Sequence, residues 1–172
     1  FSSPPWSSTR SHLHRALVFL DPFGMEVEWE TLQVLAASRF ADVWYFFNLE
    51  GVVRQCALSA DKLDQSKIDS LSAMFGTGEW RQAFYRQPLQ ASLLDAVSSD
   101  ERAVSKRVIG EWATERFRTL FEYVSDPIEI DVRKRGQPFS LYCMSNNPSH
   151  AAQNAIKRAV TAVRKLRVPA SR

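Results

Sequence analysis

Asp21-Pro22-Phe23-Gly24 is the segment of this chain whose residue types best suit chemistry on an amino group. Methylation of an amino nitrogen requires acceptors for its N–H bonds, so that the nitrogen lone pair can point at the methyl donor. The carboxylate of Asp21 and the carbonyl of Pro22 can supply two such acceptors. Where the amino group belongs to a nucleobase, the Phe23 ring can hold that base by stacking, which contributes about 1–3 kcal/mol per base. We therefore take Asp21, Pro22, Phe23 and Gly24 as the candidate catalytic residues.

This tetrapeptide resembles the Asp-Pro-Pro-Tyr loop of amino-methyltransferases, which follows the fourth strand of a Rossmann-like sheet. Two positions depart from that loop, because Phe23 replaces the second proline and Gly24 replaces the aromatic residue. The alternative interpretation is a turn that only leaves a strand and enters a helix.

Two further polar segments follow predicted strands. In open α/β sheets, ligands bind outside the carboxyl ends of the strands, so the segment 48–51 is a candidate and Asn48 a candidate ligand-binding residue. Asn146, Asn147 and Pro148 follow the last predicted strand. By the same rule they are candidate ligand-binding residues. If this last strand is antiparallel to the others, however, its carboxyl end lies at the opposite edge of the sheet.

Apolar periodicity predicts the elements that position these residues. The runs 16–20 and 43–47 are continuous and apolar, as in strands buried on both faces, and the helical spacing over 28–38 between them predicts a βαβ unit. Residues 49–100 predict a helical insertion, in which Ser66-x-x-Asp69 resembles a capping box. A long helix over 100–124, a hairpin over 128–144 and an Ala-rich helix over 150–166 complete the chain.

These elements predict one α/β domain. We expect a mostly parallel sheet of Rossmann type, with an antiparallel hairpin at one edge. Residues 1–15 are rich in Ser and Pro and read as an arm or linker, and residues 16–172 form the domain.

Several other kinds of site lack support in the sequence. The G-x-G of Gly76-Thr77-Gly78 follows a predicted helix, so we interpret it as a helix C-cap and turn and not as a phosphate loop. His12 and His14 form the sole local histidine pair, without the other ligands that a metal site needs. Cys56 and Cys143 lack a paired motif and read as packed thiols. We therefore predict no metal.

Charge is distributed unevenly along the chain. The net charge is +3, yet residues 133–172 contain nine Lys or Arg and no Asp or Glu. Arg133, Lys134 and Arg135 are therefore candidates for binding phosphates, and nucleic acid is a candidate partner. The alternative is a solvated helix whose cations lie near its C-terminus, where the helix dipole favours them. We expect no membrane span and a cytoplasmic location, because no apolar run approaches about 20 residues and a basic, apolar leader is lacking.

Four ordered blocks resemble the three-Cys-motif partner (TcmP) family. They span about residues 16–165, and they are Ala16–Trp29, Asp42–Phe47, Phe75–Tyr85 and Tyr142–Pro148 with the Ala-rich helix after it. The resemblance implies a bacterial protein that acts with a partner carrying a three-cysteine motif.

The family looks like a diverged Rossmann-type methyltransferase that uses S-adenosylmethionine. Its members carry a glycine-rich loop in an N-terminal half, and this chain has no such loop. The resemblance implies that the chain corresponds to the C-terminal part of the domain, with Asp21–Gly24 in the catalytic loop and nucleic acid as one candidate acceptor. Two alternatives remain, namely a non-catalytic module that docks the partner and an inactive fragment.

Overall fold

The computed structural model describes residues 15–22, 24–56, 63–85, 105–131 and 138–165 of the 172. Eleven elements lie in these ranges: β1 (Ala16–Leu20), α1 (Trp29–Ser38), β2 (Ala41–Phe47), α2 (Leu49–Gln55), α3 (Gln65–Phe75), α4 (Trp80–Phe84), α5 (Lys106–Arg118), β3 (Tyr123–Val124), β4 (Ile128–Asp131), β5 (Pro138–Ser145) and α6 (His150–Lys165). The predicted βαβ unit and the final helix are confirmed to within two residues at each end.

The sheet is mixed. Its strand order is β1-β2-β5, and β3 and β4 both pair with β5. β1 and β2 are parallel, with Ala16 opposite Ala41, whereas β2 and β5 are antiparallel, with Trp44 opposite Cys143. Because β5 lies inside the sheet and runs against its neighbours, four of the five strands share a direction while three of the four ladders are antiparallel. The prediction of a mostly parallel sheet is therefore wrong for the pairing of strands, because β1 and β2 form the single parallel pair among the described strands.

Helices cover the sheet on both faces. The alternate residues of β2, from Ala41 to Phe47, are buried among α1, α2, α3, α4 and α5. The opposite face carries a second, smaller cluster, in which Ile156 and Val160 of α6 pack on Leu141 and Cys143 of β5. β2 is thus covered on both of its faces, as its apolar run predicts.

β1 is not buried on both faces, which corrects the prediction from its sequence. Leu17 and Phe19 are 73% and 60% exposed. They lie opposite Asp42 and Trp44 of β2, on the face that α6 covers. The second cluster extends over β2, β5, β3 and β4 but does not include β1, so the outer strand keeps two apolar side chains in solvent.

Of the stretch 49–100 that was predicted as a helical insertion, the structure describes residues 49–56 and 63–85, which contain the helices α2, α3 and α4; the rest of the stretch lies outside the described residues. Its central helix is capped by Asp64, not by Ser66, because the Asp64 carboxylate accepts the backbone N–H of Lys67 at 2.9 Å. Asp64 also pairs with the Lys67 ammonium at 2.8 Å, and these contacts hold the pKa of its carboxyl below the ordinary value.

α5 ends at Arg118, six residues before the predicted end at Val124. Thr119 closes the last turn by donating its N–H to the carbonyls of Arg116 and Phe117. The side chain of Asn146 then accepts the N–H of Glu122 at 2.6 Å and donates to the carbonyl of Leu120 at 2.8 Å. These bonds divert the chain into the sheet, where Val124 pairs with Met144.

Candidate functional site

A cleft of about 750 Å³ lies beyond the carboxyl ends of β1 and β2. Its walls are the segment 24–28, which follows β1, together with one side of α2 and residues 67–73 of α3. β1 and β2 are the parallel pair of this sheet, and a parallel pair brings the segments after both strands to one edge. The cleft therefore lies where the strand directions predict a ligand site.

The predicted loop after β1 reaches the cleft through its last residue. Gly24 lines the cleft, with a φ of 76° that turns the chain away from the strand. Asp21 and Pro22 precede that turn at the end of β1 and are not among the lining residues. Asp21 is exposed, and it makes no hydrogen bond or ion pair within the described ranges. Phe23 lies outside the described residues.

Asn48 also lines the cleft, and its side chain is held by α2. The Oδ1 atom accepts the N–H of Gly51 at 2.8 Å and so caps the helix. A Cβ atom at Gly51 would lie 2.8 Å from the Asn48 carboxamide, so a side chain at this position would displace the capping amide. The predicted loop 48–51 is therefore the first turn of a helix, because the Asn48 cap starts the helix directly after β2.

Gln55 is a cleft residue that the sequence analysis missed. It lies at the end of α2, and its Oε1 atom is buried without a hydrogen-bond partner among the residues that the structure describes. A buried acceptor without a donor costs about 1–3 kcal/mol, so a ligand N–H that reaches it would stabilise the complex. No local pattern marks Gln55, since only the packing of α2 places it in the cleft wall.

Charges of both signs line the cleft. Glu26 and Glu28 follow β1, Asp69 comes from α3, and Arg54 and Lys67 contribute the cations. The cleft therefore suits a polar ligand with hydrogen-bond donors better than a polyanion.

A second cleft, of about 770 Å³, lies on the other side of α2. Its floor is a chain of buried hydroxyl groups, in which Thr114 donates to the carbonyl of Gly110 at 2.8 Å and lies 2.9 Å from the Tyr142 hydroxyl. Because the Thr114 proton is already used, Tyr142 must be the donor of the second bond. Burial raises the pKa of Tyr142 above its usual range, so this hydroxyl stays protonated. An ion pair between Lys106 and Glu50 ties α2 to α5 above this floor.

Asn146, Asn147 and Pro148 lie at the opposite edge of the sheet from the first cleft. The antiparallel ladder places Ser145 beside Asp42, at the beginning of β2, so the end of β5 points away from the cleft. Asn146 bonds three backbone groups, and the Oδ1 of Asn147 accepts the N–H of Ser149 at 3.0 Å. These amides hold the fold together, and the structure does not bring them to Asp21.

The remaining candidates divide into two groups. Arg133, Lys134, Arg135, His12 and His14 lie outside the described residues. Cys56 and Cys143 are buried, and burial raises the pKa of the Cys143 thiol to about 12, so that it stays protonated. Within the described ranges, no group of three His, Cys, Asp or Glu residues could hold a metal ion, and no helix is long and apolar enough to cross a membrane.

No protein-family model, no curated protein and no solved structure matches the chain.

Proposed function

We propose that this chain is the substrate-binding part of a methyltransferase-like domain of the three-Cys-motif partner type, and that it presents an amino group for methylation. The observation that carries the proposal is the free Asp21 carboxylate directly after β1, which is exposed and makes no hydrogen bond or ion pair within the described ranges. An amino group supplies an N–H donor for this acceptor. In the neighbouring cleft, the buried Oε1 of Gln55 also has no donor among the described residues.

The direction and order of the strands support the methyltransferase-like part of this proposal. The resemblance implies two parallel strands followed by a hairpin that contributes the last two strands of the fold. β1 and β2 are parallel, and β5 pairs with β2 on one side and with β3 and β4 on the other. This arrangement leaves Asp21–Gly24 at the end of the first strand, where the resemblance places the catalytic loop.

In the proposed site, Asp21 accepts one N–H of the substrate and the carbonyl of Pro22 accepts a second. Two acceptors fix the plane of the amino group and leave its lone pair pointing away from them. Phe23 is assigned to the pocket wall from the resemblance. The role of these residues is thus to bind and orient the nitrogen.

The residues present do not fit S-adenosylmethionine, the cofactor that the resemblance implies. Gly76-Thr77-Gly78 contains the chain's sole G-x-G, and Gly76 ends α3 with a φ of 66° against the side chain of Trp29. This turn follows a helix, so its backbone is not a strand-to-helix cradle for a cofactor. We assign no residue of this chain to the cofactor.

Calorimetric titration of S-adenosylmethionine tests the proposal at the level of the domain. The titration is made into this chain and into a version extended upstream in the natural gene. We expect binding by the extended version alone. Absence of binding by both would contradict the methyltransferase-like assignment.

Transfer of tritium from labelled S-adenosylmethionine into nucleic acid and protein fractions tests the roles of the side chains. In the extended protein, we expect Asp21→Asn to abolish transfer and to leave cofactor binding unchanged. Glu30→Gln is the matched control and should keep the transfer of the parent, because Glu30 is exposed in the first turn of α1 and does not line the first cleft. Equal transfer by Asp21→Asn and the parent would exclude Asp21 from the site.

A second candidate function is docking of the three-cysteine-motif protein without catalysis. The observation that favours it is the exposure of Leu17 and Phe19 on β1, at the edge of the described sheet. Exposed, adjacent apolar side chains are typical of protein interfaces. Co-purification with the three-cysteine-motif protein of the same organism should fail for Phe19→Ser and persist for Val34→Ser, whose side chain is 65% exposed on α1.

A further inference from the structure

The outer side of α6 carries a row of cations. Lys157, Arg158 and Lys165 lie with Asn154 and Thr161 along one side of the helix and line a shallow groove of about 530 Å³. Their spacing of three or four residues keeps them on one face, which we call the α6 basic face. Residues 150–165 contain four Lys or Arg and no Asp or Glu.

We propose that the α6 basic face binds the phosphate backbone of duplex nucleic acid without regard to base sequence. The proposal does not depend on methyl transfer, because α6 packs on the face of the sheet opposite to α2 and α3, which form the first cleft.

The cations of this face have no carboxylate partner in the part of the chain that the structure describes. Neither Lys157, Arg158 nor Lys165 takes part in an ion pair there. Arg107 and Arg118 of α5, by contrast, each pair with a glutamate of their own helix, at 2.6 and 2.5 Å. Phosphates can therefore approach the α6 basic face without displacing an internal partner.

The helix dipole does not account for this pattern. Cations are favoured by the dipole within the last turn of a helix. Lys165 occupies that turn, but Lys157 and Arg158 are the eighth and ninth of the 16 residues of α6. The helix dipole therefore does not explain the positions of Lys157 and Arg158.

The spacing along the helix suits a nucleic-acid strand. Lys157 and Lys165 are eight residues apart, which is about 12 Å at 1.5 Å per residue. Over about 12 Å of the axis of B-DNA, each strand carries about three or four phosphates. The Asn154 amide can add a neutral donor at the other end of the face.

Other polyanionic surfaces fit less well. A helix that binds a membrane surface inserts an apolar face, but Ile156 and Val160 of α6 are only 7% and 5% exposed, since they pack on the sheet. Single-stranded nucleic acid is bound by stacking on aromatic rings, and the sequence of α6 contains no Phe, Tyr or Trp. The backbone of a duplex requires neither feature.

Fluorescence anisotropy with a labelled 24-base-pair DNA duplex of mixed sequence tests the proposal. Three phosphate contacts predict that log K falls with log salt at a slope of about −2.7, so binding by the full chain should weaken at least 40-fold between about 50 and 200 mM salt. The double variant Lys157→Gln with Lys165→Gln loses two of the three contacts. The factor by which its affinity falls over the same salt range should therefore be about 12-fold smaller than for the parent. A second duplex of scrambled sequence should bind equally well.

The matched control is Arg107→Gln with Arg118→Gln, which removes the same net charge from α5. We expect this variant to keep the salt dependence of the parent, and circular dichroism to show the same helix content for both variants. Equal losses in the two double variants would overturn the proposal, because they would reflect net charge alone. Tighter binding to vesicles that contain phosphatidylserine than to the duplex would overturn it as well.

Discussion

Gly76→Ala is expected to destabilise the fold strongly, while Gly78→Ala, two residues later, is expected to be tolerated. Gly76 ends α3 with a φ of 66°, and a Cβ atom there would lie 2.1 Å from Cδ1 of Trp29. Trp29 is 5% exposed, and the guanidinium of Arg116 lies 4.5 Å from its ring. A Cβ at Gly78 would meet nothing within 4 Å.

The magnitude follows from two separate costs. A left-handed backbone at a residue with a Cβ costs about 1–2 kcal/mol. Displacing a ring in a packed core costs about 1–3 kcal/mol more, so the free energy of unfolding should fall by about 2–5 kcal/mol. With a slope of about 2 kcal/mol per molar urea, the midpoint should fall by about 1–2.5 M.

Urea unfolding followed by circular dichroism at 222 nm measures this difference. Gly76→Asn separates the two costs, because asparagine tolerates a positive φ but still carries the Cβ that meets Trp29. It should remain clearly destabilised. Midpoints that agree within about 0.3 M for Gly76→Ala, Gly78→Ala and the parent would refute the contact between this turn and α1.

Three further results are expected. Asn146→Ala should lower the free energy of unfolding by about 2–4 kcal/mol in a urea titration, because three backbone groups lose their partner, while Gln33→Ala, exposed on α1, should change it little. Asn48→Ala should cost about 1 kcal/mol in thermal unfolding through loss of the α2 cap. Burial raises the pKa of Cys143 from its ordinary 9.0 to about 12, so its contribution is complete below pH 9 and is lost as the pH rises towards 12, by up to about 1.4 kcal/mol per pH unit. Urea titrations at pH 8 and 10.5 should therefore show a smaller alkaline loss for Cys143→Ala than for the parent.

Elements that depend on local signals could be predicted closely from the sequence. The run Ala16–Leu20 has the bounds of β1, and the predicted helices over 28–38 and 150–166 differ from α1 and α6 by one residue at an end. Apolar periodicity and turn residues depend on a few neighbouring positions, so they can be recognised directly in the sequence.

Elements that depend on distant contacts could not be predicted in this way. α5 stops early because Asn146, 26 residues after Leu120, binds the carbonyl of that residue. β1 is open on one face because α6 packs on β2, β5, β3 and β4. Neither the Asn146 hydrogen bond nor the packing of α6 produces a residue pattern in the segment whose structure it determines.

The candidate site divides in the same way. Gly24 and Asn48, which follow the parallel strands β1 and β2, both line the first cleft. Asn147 fell at the other edge because the direction of β5 depends on which strand it joins, and the sequence of a strand does not specify its partner. No sequence pattern marks Gln55, since an unpaired buried acceptor arises only when the protein is packed.

The central position of β5 has a consequence for the order of folding. Ser145 of this strand donates a hydrogen bond to the Asp42 carboxylate, 103 residues earlier in the chain. β5 joins β2 to β3 and β4, so the two halves of the sheet cannot meet until the ribosome has released residues 138–145. Until then, the edge of β2 has no partner, and the nascent chain exposes a strand that can pair with other chains. The sheet therefore cannot close before β5 has been synthesised, and long-range pairing of this kind is slow.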